Sequence, residues 1–126
     1  MVNSITDVVC LLDDDPSVLK AVGRLLSSAG WSVKQFSDPD EFLVYAKIHR
    51  AAVAVIDVWM PIMSGLEVQS RLRELSPSTR VIIFTGRDDP RVRTSALNAG
   101  ASAFLTKPFD DEELLTAVRL ALASAI

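Results

Sequence analysis

The sequence predicts an α/β fold in which a parallel sheet is covered by helices on both faces. Three observations carry this. Five short runs, DVVCLL (7–12), WSVKQF (31–36), AAVAVID (51–57), RVIIFTG (80–86) and SAFLT (102–106), have the length and composition of strands. Each is followed by a stretch with helical spacing or helix punctuation, so that strand and helix alternate every ~20 to 25 residues. The central runs, VAVI above all, are almost continuously apolar, as strands buried on both faces must be.

DVVCLL is bounded by acids and by Pro16, which suits the first turn of a helix. Val18, Ala21, Val22, Leu25, Leu26 and Ala29 then recur at spacings of three and four, and Gly30 stops the helix. WSVKQF is less apolar, which predicts an edge strand with Trp31 packed at its margin. SDPDEF supplies a cap and an acidic first turn for a helix running to about Arg50. AAVAVID, the most apolar strand, ends in Asp57 and gives way to a loop containing Pro61 and Gly65. Leu66, Val68, Leu72 and Leu75 mark the next helix, closed by Ser76 and Pro77. After RVIIFTG comes a weaker helix over 90–98, stopped by Gly100. KPFDDEEL leads into a last helix from about Asp110, with a core stripe of Leu114, Val118, Ala121, Leu122 and Ala125. There is no repeat, low-complexity segment or internal boundary, so a single domain over 1–126 is expected.

Composition narrows the function classes. A chain of 126 residues can bury roughly two thirds of its unfolded surface in one core. Its 49% hydrophobic content and net charge of −3 indicate a folded chain. No apolar run approaches the ~18 residues of a membrane span, and MVNSITD lacks the features of a signal peptide, so a cytoplasmic location is expected. The acidic balance without a basic patch argues against direct nucleic-acid binding. The lone Cys10, inside an apolar strand, is expected to be a packed thiol.

In open sheets of this kind ligands bind outside the carboxyl ends of the strands. Those ends carry Asp13, Asp14 and Asp15, then Asp57, then Thr85 and Gly86, then Thr106 and Lys107. The edge-like strand ends in Ser37 and Asp38, a helix cap. An Asp at a strand end is most often a cap or turn former, but here several acids converge. Two carboxylates about 4 Å apart repel by roughly 4 kcal/mol at an effective dielectric near 20. Three acids with one Lys therefore hold a proton or admit a divalent cation. Oxygen-only ligands select a hard ion, Mg²⁺ or failing that Mn²⁺. A carboxylate nucleophile, a metal, a hydroxyl and an ammonium make a phosphoryl-transfer site that can form an aspartyl phosphate.

In this order and spacing, LLDDDPSV, VIDVWMP, MSGLE, FTG and LTKPF resemble the receiver domain of two-component response regulators over essentially the whole chain. MSGLE with FTGRDD looks most similar to the FixJ-like branch. The resemblance implies a flavodoxin-like sheet in the order 2-1-3-4-5 with five helices. It implies that Asp57 is the phosphoacceptor for a histidine kinase or phosphotransfer protein, with no enzyme activity beyond self-phosphorylation and autodephosphorylation. Metal ligation falls to Asp14, Asp57 and the backbone carbonyl of Trp59, with Asp13 acting mainly through metal-bound water. Thr85 and Lys107 bind phosphoryl oxygens, the Lys107-Pro108 peptide is cis, and Thr85 with the aromatic ring of Phe104 forms the switch. Trp59 and Arg87 occupy the positions that flank the phosphoryl group and govern access of water. The output is an effector domain or protein target, a phosphorylation-dependent homodimer, or a shuttle or sink for phosphate.

Several residues have plainer readings beside these. Asp15 is expected to cap the first helix and His49 to be a solvated group at a helix end. Leu120 points away from the stripe of the last helix, on the side where receivers often meet partners, and is the interface candidate. A rival reading is an aspartyl-phosphate phosphatase, but such enzymes of the haloacid dehalogenase type carry a second Asp two residues after the nucleophile, where this chain has Trp59.

Overall fold

The computed structural model describes residues 8–123. Strands and helices alternate throughout: β1 (Val8–Leu12), α1 (Pro16–Ser28), β2 (Ser32–Phe36), α2 (Pro39–Ile48), β3 (Val53–Asp57), α3 (Gly65–Leu75), β4 (Arg80–Thr85), α4 (Pro90–Asn98), β5 (Ala103–Thr106) and α5 (Asp111–Ala123). All four strand pairings are parallel, in the order β2-β1-β3-β4-β5. The sheet class and the order implied by the resemblance are both present.

The sheet divides the core in two. On one face Leu12, Ile56, Ile83 and Phe104 pack with Phe42 of α2 and Val68 and Leu72 of α3. On the other, Leu11, Val55, Ile82 and Phe84 pack with Leu26 of α1 and Leu114 and Val118 of α5. Alternate residues of the inner strands thus serve opposite layers, and every residue of β3 is buried. β2, at the sheet edge, is mostly exposed.

Sequence punctuation accounts for most helix ends. Asp15, Asp38 and Asp89 accept hydrogen bonds from the backbones of Ser17, Asp40 and Arg91, each 2.9 Å, with Pro next in sequence. Ser64 does the same for Glu67 at the start of α3. Gly30 and Gly100 adopt φ of 96° and 99° just past the ends of α1 and α4, the left-handed backbone that glycine takes without steric penalty.

The structure corrects the sequence reading at several places. α2 ends at Ile48; His49 is its C-cap and Arg50 lies outside it, because extended backbone at His49 breaks the helix. Trp31 lies just before β2, half-buried against the α1/α5 layer. In α1, Ala21 and Ala29 are exposed, and Gly23 takes an inner position where a Cβ would collide with the side chain of Gln35. In α3, Leu75 faces outward while Gln69 is buried, its amide donating to Ala96 O of α4 at 3.0 Å. Asp7 and Ala125 lie outside the described residues. Cys10 is a buried free thiol whose pKa burial pushes up to about 12.

Candidate functional site

The sheet ladder carries the site residues one position beyond their strands. Asp13 N–H donates to Phe36 O at 3.1 Å, Val58 N–H to Phe84 O at 3.1 Å, and Lys107 N–H to Thr85 O at 2.6 Å. These bonds hold the backbones of three loops at one rim. A second constraint closes the β3 end: Gly65 N–H donates to Val58 O at 2.8 Å, bringing the start of α3 back over the strand. A Cβ at Gly65 would overlap the carbonyl oxygen of Asp57, so this return path needs glycine.

Asp13 and Asp57 are buried and Asp14 is exposed, and one carboxylate oxygen from each lies within 4.8 Å of the others. Lys107 reaches across from the end of β5. Its Nζ stands 3.0 Å from Asp13 Oδ2 and 3.2 Å from Asp57 Oδ1, and 4.4 Å from the centroid of the Phe84 ring. The Lys107-Pro108 peptide is cis.

Burial and the neighbouring Asp13 charge raise the Asp57 pKa from the ordinary 3.8 to about 6, against the pull of Lys107 in the other direction. Asp57 is therefore mostly ionised at neutral pH. Burial works to lower the Lys107 pKa, but its hydrogen bond to Asp13 and the charges of Asp57 and Asp13 outweigh that and hold it above the ordinary value. One ammonium among three carboxylates leaves the cluster short of positive charge. The donor set is all oxygen and partly solvent-facing, which fits a hard divalent cation that keeps several waters.

Thr85 is fully buried, and its hydroxyl is turned toward the following loop. Oγ1 accepts from Arg87 N and donates to Arg87 O, both at 3.1 Å. Arg87 in turn lays its guanidinium over Trp59, 4.5 Å from the ring centroid, so the two residues flanking the rim touch one another. Phe104 is buried, and Leu120 is 66% exposed. Asp15 is a cap, and its N–H donates to Asp13 Oδ1 at 2.9 Å, orienting that carboxylate. His49 is exposed and stacks on Tyr45 with ring centroids 4.7 Å apart.

One residue near the site, Arg93, carries no expectation from the sequence. Arg93 of α4 lies over the Phe104 ring, 4.7 Å from its centroid. The available signal is a basic residue near the start of a helix, where the backbone dipole disfavours it. Thr106, expected at a strand end on the rim, pairs with Thr85 across β4 and β5, and its buried hydroxyl has no hydrogen-bond partner among the described residues.

Comparisons with known proteins agree with this geometry. The family model described as "Response regulator receiver domain" matches residues 9–119. The response regulator protein TodT of Pseudomonas putida is 43% identical over 118 residues, covering 94% of this chain and 52% of the relative. The chain spans about half the length of the curated relatives it matches. A CheY-like receiver domain protein from Methanospirillum hungatei superposes with a TM-score of 0.89 at 26% identity, covering 94% of this chain and 95% of the other. The beryllofluoride-activated NtrC4 receiver domain dimer gives a TM-score of 0.90 at 28% identity, covering 94% and 98%.

Proposed function

The chain belongs to the response regulator receiver domain family, and from that premise we propose that it is a phosphorylation-operated switch whose phosphoacceptor is Asp57. The observation that carries the reading is the position of Lys107 Nζ between Asp13 and Asp57, with Asp14 beside them. That arrangement gives a nucleophilic carboxylate, a fixed cation and a place for a divalent ion on one rim.

In the proposed reaction an oxygen of the ionised Asp57 carboxylate attacks the phosphorus of a phosphohistidine on a kinase or phosphotransfer protein. The new O–P bond forms as the P–N bond breaks, and the imidazole leaves with the bonding electron pair and takes up a proton. Asp13, Asp14, Asp57 and the backbone carbonyl of Trp59 are the residues that would hold Mg²⁺ or Mn²⁺. When bound, the ion neutralises charge on the phosphoryl oxygens. Lys107 binds a phosphoryl oxygen by exchanging its contact with Asp57 for one with the modified group. Thr85 supplies a hydroxyl to another oxygen after giving up its bond to Arg87 O. Trp59 and Arg87, stacked together, restrict the approach of water to the acyl phosphate. Thr85 and Phe104 form the switch.

MSGLE and FTGRDD support a place in the FixJ-like branch. The family premise, with relatives named as response regulators and about twice as long, supports an effector domain or protein target as the output rather than a phosphate sink. Residues 1–126 are proposed as one phosphoacceptor domain, acting in the cytoplasm; no helix among the described residues is long and apolar enough to cross a membrane. The exposed Leu120, and the dimer formed by the NtrC4 receiver, support a phosphorylation-dependent homodimer as one outcome.

Mass spectrometry after incubation with Mg²⁺ and acetyl phosphate tests the central step. A gain of one phosphoryl group, absent in Asp57→Asn, is the expected result. No gain overturns the proposal, and sustained turnover of a phosphoester would make the protein a phosphatase.

A further inference from the structure

We infer that Arg93 is a positioning residue that clamps the Phe104 ring and, through Asp88, ties it to the loop on which the Thr85 hydroxyl is closed. The inference rests on the reading of Asp57 as phosphoacceptor and of Thr85 and Phe104 as the switch, and adds to it the part that sets the ring's resting position.

Residues 86–89 between β4 and α4 make contacts in two directions. Toward the rim, Arg87 shares both backbone polar groups with Thr85 Oγ1 and stacks on Trp59. Toward α4, Asp88 Oδ1 stands 3.7 Å from Arg93 Nη2, and the same guanidinium covers the Phe104 ring at 4.7 Å. Two adjacent residues, Arg87 and Asp88, therefore connect the hydroxyl proposed to meet the phosphoryl group with the cation that holds the aromatic.

Arg93 is not placed there by helix energetics. α4 has Arg91 and Arg93 near its N-terminus and no acid in its first turn, the reverse of what the backbone dipole favours. The helix is also lightly anchored, with Ala96 its only fully buried residue. An exposed pair with Asp88 at 3.7 Å adds little alone. What the position does provide is a planar cation over the face of a buried ring, an attraction that also depends on where Asp88 holds the guanidinium. Transfer of the Thr85 hydroxyl to a phosphoryl oxygen removes the bonds to Arg87 that close this loop on β4. Asp88 is adjacent to Arg87, so its hold on Arg93 changes in the same step and the ring is released.

The test is nuclear magnetic resonance of the whole chain with fluorinated phenylalanine, the Phe104 signal among the five phenylalanines being assigned by its loss in Phe104→Leu. At rest, Arg93→Gln should move and broaden that signal, with the share of displaced ring rising about two- to five-fold, the range a partly exposed cation–π contact allows. Arg93→Lys should restore part of the change and Asp88→Asn should give a smaller version of it, while melting temperatures stay close to wild type. On adding Mg²⁺ with beryllium fluoride, the wild-type Phe104 signal should shift together with the Thr85 and Lys107 amides; in Arg93→Gln the amides should respond as before and the ring less. A Phe104 signal that is the same in Arg93→Gln and wild type at rest overturns the clamp. Wild-type protein whose Thr85 and Lys107 amides ignore beryllium fluoride overturns the phosphoacceptor reading instead, and with it the coupling to the loop; the resting comparison still decides the clamp.

Discussion

Lys107 and Asp57, fifty positions apart in the sequence, meet at 3.2 Å across the carboxyl ends of β5 and β3, and the same ammonium, which also reaches Asp13, offsets part of the repulsion between Asp57 and Asp13. The offset is incomplete. Asp57 binds its proton more tightly in the folded protein than in the unfolded chain, so its ionisation opposes folding.

The pH dependence has a definite sign. Folding stability attributable to Asp57 is highest below 3.8, falls as pH rises to about 6, and is fully lost above that. Asp57→Asn removes the titration. In the absence of divalent ions it should stabilise the protein by about 2–3 kcal/mol at pH 7, with the gain shrinking toward pH 4. Denaturant melts of both proteins at the two pH values check this; equal gains at both would contradict it.

Divalent ions should act on the same repulsion from outside. Mg²⁺ should raise the melting temperature of the wild-type chain, by an amount equivalent to about 2.7 kcal/mol at a hundred times the dissociation constant, and a chelator should reverse it. Asp14→Asn and Asp57→Asn should each reduce the shift. An undiminished shift in both would place the ion elsewhere.

The Arg87 guanidinium over Trp59 makes a cover whose loss can be timed. Trp59→Ala and Arg87→Ala should each shorten the lifetime of the phosphorylated protein in Mg²⁺, by several-fold, and the double variant should add little because the two residues act as one unit. Phosphate release after removal of the donor measures it. Lifetimes equal to wild type would show that the cover does not exclude water.

Gly65→Ala should destabilise the protein by roughly 1–3 kcal/mol, since the new Cβ meets the carbonyl of Asp57. Because the displaced group is the backbone of the phosphoacceptor, phosphorylation by acetyl phosphate should slow as well. A variant with wild-type melting and wild-type rate would mean that the loop yields freely.

Leu120→Glu tests the partner surface. Folding should be unaffected at a 66% exposed position, while phosphorylation-dependent self-association, followed by sedimentation, should weaken. Unchanged association and unchanged effector binding would remove Leu120 from the interface.

Strand and helix alternation was legible because buried parallel strands must be continuously apolar, and VAVI and VIIF can hardly be anything else. The rim was legible by the same logic, since a strand that ends in a charge delivers that charge to one edge, and Asp13, Asp14, Asp57 and Lys107 do converge there. Trp59 and Arg87 were each placed by the sequence, and their stacking emerged from the structure. Spacing could not show that Gln69 rather than Leu75 turns inward, because both lie near the margin of the apolar stripe and an acceptor on α4 decides between them. Arg93 over Phe104 was invisible for a related reason. It joins two elements through a side-chain contact, and periodicity describes one element at a time.

The division of the core by the sheet has a directional consequence. Ile83, Thr85 and Phe104 project to the layer shared with α3 and α4, whereas α1 and α5 rest against residues of opposite parity, Ile82 and Phe84 among them. Under the proposed switch, a displacement that begins at Thr85 would therefore reach the α3 and α4 layer directly and α5 only through the sheet. A partner that spanned β5 to contact both α4 and α5 would then read the distance between the two layers, without touching the rim.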